Sequence, residues 1–117
     1  MDERLSVLVV DDDPMGLRLL EAMLGELGYG VMAVPTPEEA LQRLDAAPPD
    51  LLLSDLRMPR MNGLELIREA RRRQPGLCCV LITAFATAEV IGDAFEAGVC
   101  DLLQKPIAFR EMRGRLG

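Results

Sequence analysis

Apolar and polar positions follow two rhythms along this chain. Short continuous apolar runs lie at Leu5 to Val10, Val31 to Val34, Leu51 to Ser54, Cys78 to Thr83 and Cys100 to Gln104. Their length fits strands buried on both faces. Segments with helical spacing separate them. Leu17, Leu20, Met23, Leu24 and Leu27 recur at three- and four-residue steps, after Asp13-Pro14 as N-cap and first-turn proline, and Gly28 fits the stop. Thr36-Pro37-Glu38-Glu39 reads as a capping box opening a second helix through Ala46, which Pro48-Pro49 ends. A loop with Pro59 and Gly63 leads to a third helix from about Leu64 to Gln74, stopped by Pro75-Gly76. The fourth helix runs from Thr87 to Ala97 with Gly98 after it. Pro106 ends the fifth strand, and a last helix starts at about Ile107.

Five strand–helix units predict an α/β fold with a doubly wound five-stranded parallel sheet and helices on both faces. Right-handed crossovers leave few strand orders. The five-strand solution is 2-1-3-4-5, flavodoxin-like, with a ligand crevice at the carboxyl ends of strands 1 and 3. With 117 residues the chain predicts one domain, 1–117, able to fold without disulfide or metal.

Composition narrows the chemistry. Thirteen basic and nineteen acidic residues leave a net charge of −6, and only four residues are aromatic, which argues against direct nucleic-acid binding. The apolar runs are far shorter than the ~20 residues of a membrane span, and MDERLS is too polar for a signal peptide. There is no histidine, which excludes a histidine base, a histidine metal ligand and a phosphohistidine donor in this chain. Cys78, Cys79 and Cys100 lack metal-ligand spacing and read as small buried hydrophobes in a reducing cytoplasm.

The polar residues that remain gather at the predicted crevice. Strand 1 ends in Asp11, Asp12 and Asp13, strand 3 runs into Asp55, strand 4 ends in Thr83 and strand 5 ends at Lys105. Neighbouring strands lie ~4.8 Å apart, so Asp11, Asp12 and Asp55 can share one hard, oxygen-seeking cation, and Mg²⁺ fits. Lys105 is the only lysine; the other twelve basic residues are arginine. A compact ammonium suits a point contact to a phosphoryl oxygen. Taken singly, each piece reads as ordinary structure: Asp13 as the N-cap of the first helix, Asp55 as a turn residue, Thr83 as a β-branched strand residue, Arg71-Arg72-Arg73 as a solvated helix face. Four strand ends converging on one crevice are hard to obtain from caps alone.

These residues carry a family resemblance. VLVVDDDP, LLLSDLRMPRMNG, LITA and the lysine-proline of LLQKP, in this order and spacing, resemble the receiver domain of bacterial two-component response regulators. The resemblance implies that Asp55 is the phospho-acceptor, in a Mg²⁺- or Mn²⁺-dependent reaction. Asp12 would bind the metal directly, Asp11 through water, and the main-chain carbonyl of Arg57 would be a third protein ligand. Thr83 and Lys105 would bind the incoming phosphoryl group, and Pro106 would follow a cis peptide bond. The implied donor is a phosphohistidine on a sensor histidine kinase or phosphotransfer protein. The chain would catalyse its own phosphorylation and dephosphorylation without being an enzyme in the usual sense. The fourth helix, fifth strand and last helix would form the face that meets an output partner or a second copy. Two features depart from the family pattern. Leu102 stands where relatives carry Tyr or Phe, and the last helix is short and contains Gly114. The chain is either a stand-alone receiver or a piece of a longer regulator. A receiver-like module that works without phosphorylation is the alternative reading.

Overall fold

Side chains leaving alternate faces of short, continuously apolar strands build a core on both sides of the sheet. The computed structural model describes residues 4–116. The elements are β1 (Ser6–Val10), α1 (Pro14–Glu26), β2 (Gly30–Val34), α2 (Pro37–Ala46), β3 (Leu51–Asp55), α3 (Gly63–Arg73), β4 (Cys78–Thr83), α4 (Ala88–Glu96), β5 (Asp101–Gln104) and α5 (Phe109–Leu116). All strands are parallel, in the predicted order β2-β1-β3-β4-β5. Successive side chains leave opposite faces of a strand. Accordingly Leu8, Val10, Leu52 and Leu81 pack with Leu44 of α2, Leu66 and Ile67 of α3 and Ala94 of α4. Val7, Val9, Leu53, Ile82 and Leu103 pack on the other face with Leu20 and Leu24 of α1 and Met112 of α5. Burying one such side chain fully stabilises by roughly 1.5–3 kcal/mol.

The caps explain the helix starts. Asp13 caps α1, its carboxylate accepting from the N–H groups of Met15 and Gly16, and Pro14 begins the helix. Thr36 caps α2 by accepting from the Glu39 N–H at 3.2 Å, but the return bond of the expected box is not among the hydrogen bonds of α2. A full box occurs instead at α3, where Asn62 accepts from the Glu65 N–H at 2.9 Å and Glu65 accepts from the Asn62 N–H at 3.0 Å. That cap starts α3 at Gly63, one residue before the expected Leu64. Elsewhere the boundaries move slightly. Leu5 lies outside β1 and is exposed, β3 includes Asp55, and the last helix begins at Phe109 because Ile107 packs into the core ahead of it.

Two expectations are corrected. Of the cysteines only Cys79 is fully buried; Cys78 is half-buried and Cys100 is exposed, in the turn ahead of β5, with its N–H on the Cys79 carbonyl at 2.8 Å. Burial pushes the Cys78 and Cys79 thiols up to about 12, so both stay protonated at neutral pH. Arg72 and Arg73 are exposed as expected, clamping Glu69, and Arg73 also reaches Asp45 of α2 at 2.8 Å. Arg71 is not part of that solvated face. It is half-buried, and it donates to the Leu77 carbonyl at 2.9 Å while its guanidinium lies against Gly98.

Candidate functional site: an acidic pocket at the sheet edge

Register brings the expected residues to one edge. Val10 pairs with Ser54, Asp55 with Ile82 and Thr83 with Gln104, so the chain leaves β1, β3, β4 and β5 at one level. One carboxylate oxygen from each of Asp11, Asp12 and Asp55 lies within 4.8 Å of the others. Asp11 is fully buried, Asp55 is 7% exposed, and Asp12 faces solvent. Asp12 is thus the carboxylate of the three most open to solvent. Carboxylate oxygens in a cluster of this size are the donor set of a hard divalent cation such as Mg²⁺, and no imidazole or thiolate is there to favour a softer one.

Lys105 compensates the cluster. Its Nζ lies 3.2 Å from Asp55 Oδ1 and 3.4 Å from Asp11 Oδ2. Burial first, and then the Asp11 charge, push the Asp55 carboxyl above the ordinary carboxylate range, while Lys105 opposes them. Burial draws the Lys105 ammonium down, but Asp55 and Asp11 outweigh it and hold its pKa above normal. The pocket therefore carries three carboxylates and one bonded cation. The peptide bond between Lys105 and Pro106 is cis, as the resemblance implied.

The surrounding backbone holds Asp55 closely. The Leu56 N–H donates to Ile82 and the Gly63 N–H to Leu56, each at 2.8 Å. A Cβ at position 63 would lie 2.2 Å from the Asp55 carbonyl oxygen, so only glycine fits there. In the sequence Gly63 closes LLLSDLRMPRMNG, in the loop ahead of the third helix, with no role of its own. A glycine following Pro59 looks like any turn, and its contact with Asp55 exists only in the folded chain.

Thr83 is buried, and its hydroxyl is occupied. It accepts from the Phe85 N–H at 3.1 Å and donates to the Phe85 carbonyl at 3.4 Å. Arg57 lies outside the carboxylate cluster, and its guanidinium stacks 5.6 Å from the centre of the exposed Phe85 ring. Leu102 is half-buried and packs against the core cluster shared by α3 and α4.

A 2-1-3-4-5 parallel sheet with a lysine-compensated aspartate pocket at its switch point defines a flavodoxin-like domain whose acidic pocket could hold a hard cation. The chain belongs to the response regulator receiver domain family of two-component systems, whose sequence pattern matches residues 7–117. It is similar to the transcriptional regulatory protein ZraR of Salmonella typhimurium, 33% identical over 113 residues, covering 97% of this chain and 26% of ZraR. It is also 38% identical over 112 residues to the two-component response regulator PhoP of Pseudomonas aeruginosa, covering 96% of this chain and 50% of PhoP. The chain thus spans a quarter to a half of the length of these relatives. Among solved structures it resembles a CheY-like receiver domain protein from Methanospirillum hungatei, with a TM-score of 0.91, 28% identity, and coverage of 97% of this chain and 91% of that one. No helix among the described residues is long and apolar enough to cross a membrane.

Proposed function

We propose that this receiver accepts a phosphoryl group on Asp55 from a phosphohistidine of a sensor kinase or phosphotransfer protein, and that the event alters a partner-binding face. The observation that carries this reading is the meeting of Asp11, Asp12, Asp55 and Lys105 in one pocket. An Asp55 oxygen attacks phosphorus in line as the donor phosphorus–nitrogen bond breaks. Lys105 leaves its resting carboxylate contacts to meet a phosphoryl oxygen, and Thr83 donates its hydroxyl to another. Asp11, Asp12, Asp55 and the main-chain carbonyl of Arg57 are the residues proposed to hold Mg²⁺. When bound, the cation neutralises charge that builds on the phosphoryl oxygens. The chain's own part is positioning and electrostatics.

Acetyl phosphate tests this without knowledge of the kinase. Intact mass should rise by one phosphoryl group with Mg²⁺ present and stay unchanged in excess chelator. No mass change with Mg²⁺ would favour the phosphorylation-independent module instead.

The proposed output face comprises α4, β5 and α5. Thr83 cannot donate to a phosphoryl oxygen while it donates to the Phe85 carbonyl, so phosphorylation has to re-place the loop 84–87 that leads into α4. α4 is loosely held: Ala94 is its only fully buried residue, and Gly92 sits in its interior. Phe85, Ile91 and Phe95 leave apolar surface exposed around it. Leu102, already packed inward, has little distance to travel and acts as a weak reporter. A second copy or an output domain outside this chain would read the face. Amide hydrogen exchange with beryllofluoride and Mg²⁺ should change most from Thr83 to Leu103. A change confined to the loops after β1 and β3 would place the output elsewhere.

A further inference from the structure

Glycine is a poor helix former, yet Gly16 lies in the first turns of α1. The space it leaves is not empty. A Cβ at position 16 would lie 2.7 Å from Asp11 Oδ2 and 3.2 Å from Asp13 Oδ2. The first distance is shorter than a side chain tolerates, so Asp11 would have to turn. Asp11 has little freedom to do so. It is fully buried, its Oδ1 accepts from the Asp13 N–H at 3.0 Å, and its Oδ2 accepts from Lys105 Nζ at 3.4 Å. Turning the carboxylate away from position 16 gives up one of these partners and shifts an oxygen of the three-aspartate cluster. Gly25, near the other end of the same helix, has nothing within 4 Å of a Cβ built on it.

We infer that Gly16 is a positioning residue of the acidic pocket: by carrying no side chain it leaves Asp11 room to accept from both the Asp13 N–H and Lys105 Nζ while keeping an oxygen in the three-carboxylate cluster. The helix accepts a poor former here because the pocket needs the room. This inference rests on the reading that the pocket takes a divalent cation.

The test compares Gly16→Ala and Gly25→Ala in the full chain, with Mg²⁺ affinity read by titration calorimetry and melting temperature read in chelator. Gly25→Ala should raise the melting temperature and leave Mg²⁺ affinity within twofold of wild type. Gly16→Ala should weaken Mg²⁺ about tenfold, the size seen when a group that orients a metal ligand is disturbed. The effect should vanish without the Asp11 carboxylate: Gly16→Ala added to Asp11→Ala should change affinity less than twofold. Equal Mg²⁺ affinity in wild type and Gly16→Ala overturns the inference, as does an undiminished effect in the Asp11→Ala background. If Gly16→Ala alone fails to fold, the double variant should fold, and its failure would also overturn the inference. A wild type that binds no Mg²⁺ overturns the cation reading itself.

Discussion

Asp55→Asn should take up no phosphoryl group from acetyl phosphate and yet, with metal chelated, should melt several degrees above wild type. The first half follows from chemistry, because an amide is not a nucleophile at neutral pH. The second follows from the environment of the carboxylate. Burial and the neighbouring Asp11 charge raise the Asp55 pKa above its unfolded value. The folded state thus holds this proton more tightly than the unfolded chain does. The stability so contributed is complete below the unfolded pKa, near 3.8, and is lost as pH climbs through the raised folded value. Above the raised folded value the wild type bears a buried, repelled carboxylate that the amide variant lacks. Each kcal/mol recovered corresponds to about 4 °C in a domain of this size. The gap should be large at pH 7, shrink towards pH 4, and reverse when Mg²⁺ is added, since ligand binding stabilises the wild type by mass action. Thermal melts of both proteins across pH in chelator check this. A variant that melts below wild type at pH 7 would show that losing the Lys105 ion pair outweighs the relief of repulsion.

Gly63→Ala should be strongly destabilising for a single added methyl group. The added carbon would sit 2.2 Å from the Asp55 carbonyl oxygen and 3.0 Å from the Asp55 carbonyl carbon and Leu56 Cα. All three are backbone atoms at the end of a central strand, so no side chain can swing aside. Either α3 must lift or β3 must retract, at a cost of about 3 kcal/mol. The expected loss in melting temperature is about 12 °C. Mg²⁺ affinity should fall with it, because Asp55 moves with its own carbonyl. Gly76→Ala is the control: a Cβ there meets nothing within 4 Å, and its melting temperature should stay close to wild type. If Gly63→Ala melted within a few degrees of wild type, the two backbones would be shown to part cheaply.

The residues behind these two predictions were not equally visible beforehand. Asp55, Asp11, Asp12, Thr83 and Lys105 were legible because each ends an apolar run, and strand order alone carries strand ends to a common edge. The helix boundaries at Pro14, Pro37 and Gly28 were legible because caps are local. What stayed hidden depends on contacts distant in sequence. Asn62 and Glu65 form a capping box, but the preceding loop residues masked it, while the box expected at Thr36 and Glu39 formed only one of its two bonds. Arg71 reads like its neighbours until the fold sets it against the β4–α4–β5 unit. Cys100 reads as part of an apolar strand, but the turn ahead of β5 leaves it in solvent. Gly16 carries no sequence mark separating it from Gly25 or Gly76, and Gly63 closes the LLLSDLRMPRMNG motif without showing there that it meets Asp55.

Arg71 has a mechanical consequence for α4. Gly98, just after that helix, has φ +87°, and a side chain there would run into the Arg71 guanidinium. The Gly98 N–H returns to Phe95 at 3.0 Å and the Val99 N–H to Ala94 at 3.2 Å, so the C-terminal end is closed by its own backbone beneath the arginine. The opposite end hangs from Ala84, Phe85 and Ala86, a short loop with two of its three residues exposed. That loop is tied through the Thr83 hydroxyl, the group the proposed phosphoryl contact would claim, so a helix closed at its far end would pivot rather than slide. On the proposed reading, in which phosphorylation re-places the loop at Thr83, the excursion of α4 would be greatest beside Thr83 and fade towards Gly98, and a partner gripping the Thr87 end would feel far more of it than one gripping Phe95.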